Sequence, residues 1–150
     1  MSAAQARAYL ETMVLPTIEE FGTVPSDRRR AFIACLVTFH TVDYLTRPAS
    51  PADLRARLRH ASPDFALVDR VAHAFKHVAS GHKNSAEMPL LHHDDISTRP
   101  PALAGVMMAG RSQAGDCWGA VEVDGENVLA AVGRAAEFLQ EWASKEDAIS

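Results

Sequence analysis

The stretch AFIACLVTFHTVDYL, residues 31–45, is apolar around almost its whole circumference when it is wound as a helix. A helix of this kind is covered on most sides, so we expect it to be the central element of a helical fold. Ser26 is the predicted N-cap and Pro48 ends the run, which places the helix over residues 27–46. The large side chains expected in the core are Phe32, Leu36 and Phe39.

Further amphipathic helices are predicted around this central one. The first ends near Gly22 and is kinked or divided by Pro16. Two Ser-Pro pairs, each with an Asp in the following turn, predict a short helix over residues 51–60 and a longer one over residues 63–79. The apolar spacing after Val128 predicts a closing amphipathic helix.

The segment between these last two helices has a different character. Residues 80–101 have no helical period and many turn formers, which predicts a long loop. Two strand-length runs follow, at residues 102–109 and 116–123, and we interpret them as a β-hairpin. The sequence therefore predicts one mainly α domain over residues 1–150, a bundle of about four principal helices with a small β-hairpin inserted before the last helix.

Composition excludes several classes of protein. The 150 residues are 47% hydrophobic and 23% charged, which is the balance of a globular domain. No apolar run approaches the roughly 20 residues that a bilayer requires, and the N-terminal residues do not resemble a signal peptide, so we expect a cytoplasmic protein without a membrane span. Cys35 and Cys117 form no CxxC pair and are expected to be reduced core residues.

The distribution of charge is uneven although the net charge is only −4, which argues against nonspecific coating of nucleic acid. Residues 26–83 carry ten Lys or Arg against five Asp or Glu, whereas residues 112–150 carry two against eight. Three interpretations stay open: solvated faces that neutralise one another, a basic patch for a phosphate-rich partner, and complementary surfaces in a homo-oligomer.

The predicted helix over residues 63–79 has an unusual polar face. Its apolar side chains lie on one side, and five functional groups share about a third of the circumference on the other. These five residues are Asp69, Arg70, His73, Lys76 and His77. So many cations repel one another unless a carboxylate, a phosphate or a metal lies among them. The face is interpreted either as a solvated one, with Asp69 paired to His73, or as a site or subunit interface.

Metal binding has little support in the sequence. His73 and His77 have the spacing at which two imidazoles share an ion, but no carboxylate accompanies them as in HExxH, and Lys76 would lie beside the metal. The contiguous run of residues 92–95, HHDD, lacks the spacing of a ligand set. The absence of GxGxxG, Walker and GxSxG motifs likewise argues against nucleotide cofactors and nucleophilic hydrolysis. We therefore predict no metal and no cofactor.

His40 lies on the predicted central helix among apolar residues, so it is expected to be buried, with Asp43 one turn away. One interpretation is that Asp43 accepts a hydrogen bond from a buried His40 and has a structural role only. The other is that both side chains face the polar stripe of the neighbouring helix. On the second interpretation Asp43 compensates the cations of one shared site. The predicted members of that site are His40, Asp43, Arg70, His73, Lys76 and His77.

Two segments carry a resemblance to known proteins. FHTVDY, residues 39–44, and VAHAFKHV, residues 71–78, resemble small uncharacterised bacterial helical proteins with His-x-x-Asp before an aromatic and an Ala-Asn-x-x-Lys-His helix. Position 73 is His where that pattern has Asn. More distantly, the chain is similar to the HEPN class of four-helix proteins, many of which are dimeric RNA-cutting toxins with an Arg-x(4–6)-His motif. Arg70 with His77, and Arg55 with His60, have this spacing.

This resemblance implies a small cytoplasmic homodimer that acts on or binds RNA or another phosphate-bearing ligand. His77 would be the general acid or base on a ribose hydroxyl, while Arg70 and Lys76 would stabilise the phosphate charge of a metal-independent, ribonuclease-like reaction. The ligand-binding residues would be His40, Asp43 and His73. The alternative is a noncatalytic homodimeric ligand- or protein-binding module whose polar cluster is structural.

Overall fold

The computed structural model describes residues 3–45, 50–86, 88–102 and 116–147. The chain is mainly helical, with one two-stranded and one three-stranded antiparallel sheet in the described part. The helices are α1 Ala3–Tyr9, a π-helical turn Leu10–Val14, α2 Leu15–Thr23, α3 Arg28–Leu45, α4 Pro51–Ala61, α5 Pro63–His77 and α6 Val128–Asp147. The short elements between α5 and α6 are β1 Ala79–Ser80, β2 Leu91–His92, a 3-10 turn His93–Asp95, β3 Ser97–Arg99, β4 Ala120–Val123 and β5 Glu126–Asn127.

The helices begin close to the predicted capping residues, although not every predicted cap forms. The first helical segment is continuous from Ala3 to Thr23 and changes to a π-helical turn over Leu10–Val14, just before Pro16 in the first turn of α2. Both Ser-Pro helices begin at the predicted proline. The Ser62 hydroxyl accepts a hydrogen bond from the Phe65 backbone N–H at 3.1 Å, whereas the Ser50 side chain makes no capping hydrogen bond. For α3 the predicted cap was wrong by one residue: it is Asp27, not Ser26, whose carboxylate accepts hydrogen bonds from the first helical N–H groups.

The α3 helix lies against α1, α2, α4, α5 and α6. The large side chains Phe32, Leu36 and Phe39 are partly buried, and Phe39 packs against the core, but none of the three is among its fully buried residues. The fully covered side is made of smaller residues, namely Ala31, Ala34, Cys35, Thr38, Thr41, Val42 and Leu45. Small side chains let the neighbouring helices approach closely, and the larger rings then lie at the margins of these contacts.

The α5 helix packs against α3, α4 and α6 through its apolar face, which includes the fully buried Phe65 and Val71. Buried Leu139 of α6 and Leu58 of α4 belong to the same core. Burying each such side chain stabilises the fold by about 1.5 to 3 kcal/mol. This packing fixes the rotation of α5, and thereby sets which of its polar residues face α4.

The predicted loop over residues 80–101 is in fact structured. β1 pairs antiparallel with β2, with Ala79 opposite His92, and β3 pairs with β4, with Thr98 opposite Val121. These strands are too short for a periodic signal, and only long-range pairing stabilises them.

The predicted hairpin over residues 102–123 was only partly tested. The first run lies outside the described residues from position 103 onwards, and β4 pairs with β3 and β5. The Asp124-Gly125 turn between β4 and β5 has positive φ at both residues, 53° and 83°, as a tight hairpin turn requires.

Cys35 is buried as predicted, whereas the prediction for Cys117 was wrong because this residue is exposed. It precedes β4 in a bend where the Asp116 carboxylate accepts hydrogen bonds from the N–H groups of Trp118 and Gly119 at 3.1 and 3.0 Å. Within the described ranges, no helix is long and apolar enough to cross a membrane.

Candidate functional site

A pocket of about 480 Å³ opens between α4, α5 and the segment that follows β1. We call it the basic pocket. Its functional side chains are Arg55 and Arg59 from α4, Asp69, His73 and His77 from α5, and His82 and Ser85 from the segment between β1 and β2.

Asp69 is the buried centre of this pocket, with only 1% of its side chain exposed. Arg59 donates a hydrogen bond from Nη1 to Asp69 Oδ2 at 2.9 Å, and Nε of Arg55 lies 3.6 Å from the same oxygen. Both arginines reach one carboxylate because residues four apart project from one face of a helix. The carboxylate therefore holds two guanidinium groups side by side at the edge of the pocket.

His73 is the third group attached to Asp69. Its Nδ1 lies 2.9 Å from the Asp69 carbonyl oxygen and 2.8 Å from Oδ1 of the same residue. The ring also packs edge-on against Phe39, with 4.8 Å between the ring centroids. Because Nδ1 is engaged, Nε2 is the nitrogen left to interact with a ligand. His77 follows one turn later, its ring centroid 6.0 Å from that of His73, and both His77 and His82 are exposed.

These contacts shift the pKa values of the central pair in opposite directions. Burial alone would raise the pKa of Asp69, but the close contacts with His73 and Arg59 and the charge of Arg55 outweigh it, so the pKa is lowered from 3.8. The Asp69 carboxylate raises the pKa of His73 above its ordinary 6.5 despite partial burial. The ionised pair Asp69⁻ and His73⁺ is thus favoured in the folded protein.

The wall opposite α4 depends on two residues with positive φ. Val78 ends α5 at φ 70°, and its carbonyl accepts a hydrogen bond from the His93 N–H at 2.8 Å, which turns the chain back along the helix. Gly81 then adopts φ 80° where the segment folds onto itself, and a Cβ there would overlap the Pro89 carbonyl. Only glycine fits this position without strain.

A second cavity of about 540 Å³ provides an electrostatic contrast, and we call it the neutral pocket. Its three arginines are matched by three carboxylates, whereas the basic pocket has two arginines and three histidines against Asp69 alone. The charged residues of the neutral pocket are Arg59, Arg70, Arg134, Asp64, Asp124 and Glu126. Arg134 binds Asp64 through two hydrogen bonds of 2.7 and 3.0 Å, and Arg70 binds Asp124 at 3.2 and 3.3 Å.

The structure brings together only part of the predicted cluster. His73 and His77 line the basic pocket, but Arg70 lines the neutral pocket, where it also donates to the Pro89 carbonyl at 3.1 Å. Arg70 and His77 share a stripe of α5 but are seven residues apart, about 10 Å along the axis. Lys76 is exposed and does not line the basic pocket.

His40 and Asp43 lie elsewhere on α3. The prediction that His40 is buried was wrong: 42% of its side chain is exposed, and Nδ1 lies 2.8 Å from Oδ2 of Asp43, itself 56% exposed. The carboxylate that compensates the α5 cations is Asp69. The predicted Asp69–His73 contact is present, but the carboxylate is buried and not solvated.

Sequence reasoning did not assign Arg55, Arg59 or His82 to the site. The i, i+4 spacing of the two arginines was the available signal for an α4 contribution. His82 had no signal, because the structure of the segment after β1 depends on long-range strand pairing. His60, the partner of Arg55 in the Arg-x(4–6)-His spacing, is exposed and lies outside the basic pocket lining.

In the part of the chain that the structure describes, no group of three or more His, Cys, Asp or Glu is placed to hold a metal ion. In the HHDD run, His93 pairs with the neighbouring Asp94 at 3.0 Å. This contact lies at the surface, within the short 3-10 turn.

Comparison with known proteins returned no matching family model, no matching curated protein and no matching solved structure. The resemblance to the HEPN class therefore stays a prediction. The function has to be argued from the pocket itself.

Proposed function

We propose that this protein binds a phosphate-bearing ligand, with RNA as the leading class, in the basic pocket. The observation that carries the proposal is the pair of guanidinium groups, Arg55 and Arg59, that approach the same oxygen of buried Asp69. A carboxylate behind two arginines fixes their positions, which reduces the entropy lost when they bind an anion.

The arginines retain hydrogen-bonding capacity for a ligand. A guanidinium has five N–H donors, and the described hydrogen bond of Arg59 to Asp69 uses one nitrogen, Nη1. Planar guanidinium groups bind phosphate through two parallel hydrogen bonds, and the imidazoles of His73 and His77 add donors when they are protonated. Together, these guanidinium and imidazole donors match the acceptor oxygens of a phosphate group.

The test is titration calorimetry with a short single-stranded RNA against the wild type and single variants. We expect Arg55→Gln and Arg59→Gln each to weaken binding about tenfold or more, because a hydrogen bond to a charged group contributes about 1.5 to 3 kcal/mol. Arg134→Gln is the matched control, since it removes the same charge from the neutral pocket. Arg59→Lys keeps the charge but loses the planar fork, and thermal melts verify that each variant is folded.

Arg59 lines both pockets, whereas Arg55 lines the basic pocket and not the neutral one. Equal losses in Arg134→Gln and Arg55→Gln would therefore contradict the assignment to the basic pocket. The affinity of the wild type should also fall as salt rises, because phosphate binding releases counterions. A denaturing gel of the same RNA, incubated in EDTA, distinguishes simple binding from the metal-independent cleavage that the resemblance implies.

A second candidate function is a homodimeric binding module. The exposed face of α6 carries Glu137 and Glu141, and acidic groups of this kind in a second copy would compete with phosphate for the basic pocket. Self-association in solution without RNA affinity would favour this function. Both candidates fit the cytoplasmic location expected from the sequence.

A further inference from the structure

We infer that the basic pocket takes the terminal phosphate of its ligand, a phosphate monoester, in preference to an internal phosphodiester. This inference rests on the proposed function and specifies the chemical class of group that the site selects. Two features of the pocket support it: the net charge of the pocket and the partial burial of its cationic side chains.

The first feature is the charge at the base of the pocket. Arg55 and Arg59 carry two permanent positive charges, Asp69 carries one negative charge, and protonated His73 adds a third cation. The resulting charge of +2 matches a phosphate monoester, which carries about −1.5 to −2 near neutral pH. An internal phosphodiester carries only one negative charge. Contact with Asp69 raises the pKa of His73 and so favours the protonated form that this match uses.

The second feature is that the cations are recessed. The side chains of Arg59 and His73 are 19% and 26% exposed, and that of Arg55 is 36% exposed and lies nearer the opening. His77 and His82 are exposed at the rim. A chain end can enter such a recess with its oxygens first. An internal phosphate brings two ribose groups with it, and both would have to pass the rim. Asp69 does not repel the incoming anion strongly, because it lies behind the two arginines.

The neutral pocket serves as an internal comparison. It is of similar volume and contains three arginines, one of which, Arg59, it shares with the basic pocket, but its carboxylates occupy Arg70 and Arg134 through direct hydrogen bonds. Positive charge without a matching carboxylate, and not arginine content alone, therefore distinguishes the basic pocket. Variants in the neutral pocket are suitable controls for the same reason.

The experiment compares three single-stranded RNAs of one sequence by calorimetry: one with a 5′-phosphate, one with a 3′-phosphate, and one with hydroxyl groups at both ends. We expect at least one phosphorylated RNA to bind about tenfold tighter than the hydroxyl-ended RNA, equivalent to one additional charge-assisted contact. Arg59→Gln should remove this preference because it lowers the charge of the pocket, Arg59→Lys should keep part of it because the charge remains, and Arg134→Gln should retain it. A nucleoside monophosphate is the fourth ligand, with the free nucleoside as its control.

The possible outcomes test both the proposed binding of RNA and the preference for a terminal phosphate. Binding of the nucleoside monophosphate as tightly as phosphorylated RNA supports the inference and identifies the phosphate end alone as the ligand. Tighter binding of phosphorylated RNA than of the nucleoside monophosphate also supports the inference, and it indicates further contacts between the protein and the rest of the RNA. Equal binding of all three RNAs, still dependent on Arg59, overturns the inference while the proposed function stands. Failure of every ligand to bind overturns both.

Discussion

At the scale of single residues, the fold of the site depends most on Asp69. Its carboxylate is 1% exposed and is held by groups from two helices, so its removal leaves Arg59 and His73 without their partner. We expect Asp69→Asn to lower the free energy of unfolding by about 2 kcal/mol, within the range for hydrogen bonds to charged groups. Urea denaturation measures this loss. Asp64→Asn, which affects an exposed pair with Arg134, is the control and should cost less than about 1 kcal/mol.

The same pair makes stability depend on pH in a defined direction. His73 has a raised pKa, so its contribution is fully present below 6.5 and is lost as the pH rises through the folded-state pKa. Asp69 has a lowered pKa, so its contribution is present above 3.8 and is lost as the pH falls through the folded-state value. The stability difference between wild type and Asp69→Asn should therefore be larger at about pH 5 than at about pH 8. A difference that grows towards pH 8 would contradict this account of the pair.

At the scale of elements, the wall of the basic pocket depends on the backbone at Gly81. This residue lies at φ 80° and has no room for a Cβ beside the Pro89 carbonyl. We expect Gly81→Ala to destabilise the protein by about 2 kcal/mol or more, from the left-handed conformation and the steric overlap together. It should also weaken RNA binding, because the segment between β1 and β2 would move.

Gly22→Ala is the matched control for this substitution. Gly22 lies in α2 with open space around the position of a Cβ. Alanine there should leave stability unchanged or raise it by about 0.5 to 1 kcal/mol, because glycine is costly in a helix. Thermal melts of the two variants give the comparison, and equal destabilisation by both would show that Gly81 has no special backbone role.

At the scale of the whole molecule, the charges of the chain are separated between the basic pocket and the acidic face of α6. We expect the protein to self-associate at tens of micromolar, and added salt to weaken this association because it screens charges between copies. Sedimentation velocity at low and high salt measures it. Replacing Glu137 and Glu141 with Gln should reduce association more than the same change at exposed Glu19 and Glu20 of α2. A monomer under all of these conditions would contradict the prediction.

The sequence by itself determined the local elements of this protein. Ser62 and Pro63 start α5 because capping and a fixed proline φ act within a few residues, and the apolar period of α6 is visible without any partner. The polar face of α5 was predicted for the same reason, since residues on one helix have fixed angular positions. These features need no knowledge of what packs against them.

Only the tertiary structure decided which polar groups meet. Asp43 and Asp69 were equally available as partners for the cations, and the packing of α5 against α3, α4 and α6 turned Asp69 towards Arg55 and Arg59. It also placed Arg70 beside Asp124, more than fifty residues away along the chain. The position of His82 follows from the pairing of β1 with β2, whose strands are two residues long. Contacts between distant segments depend on the rotation and packing of whole elements, and local sequence patterns do not encode them.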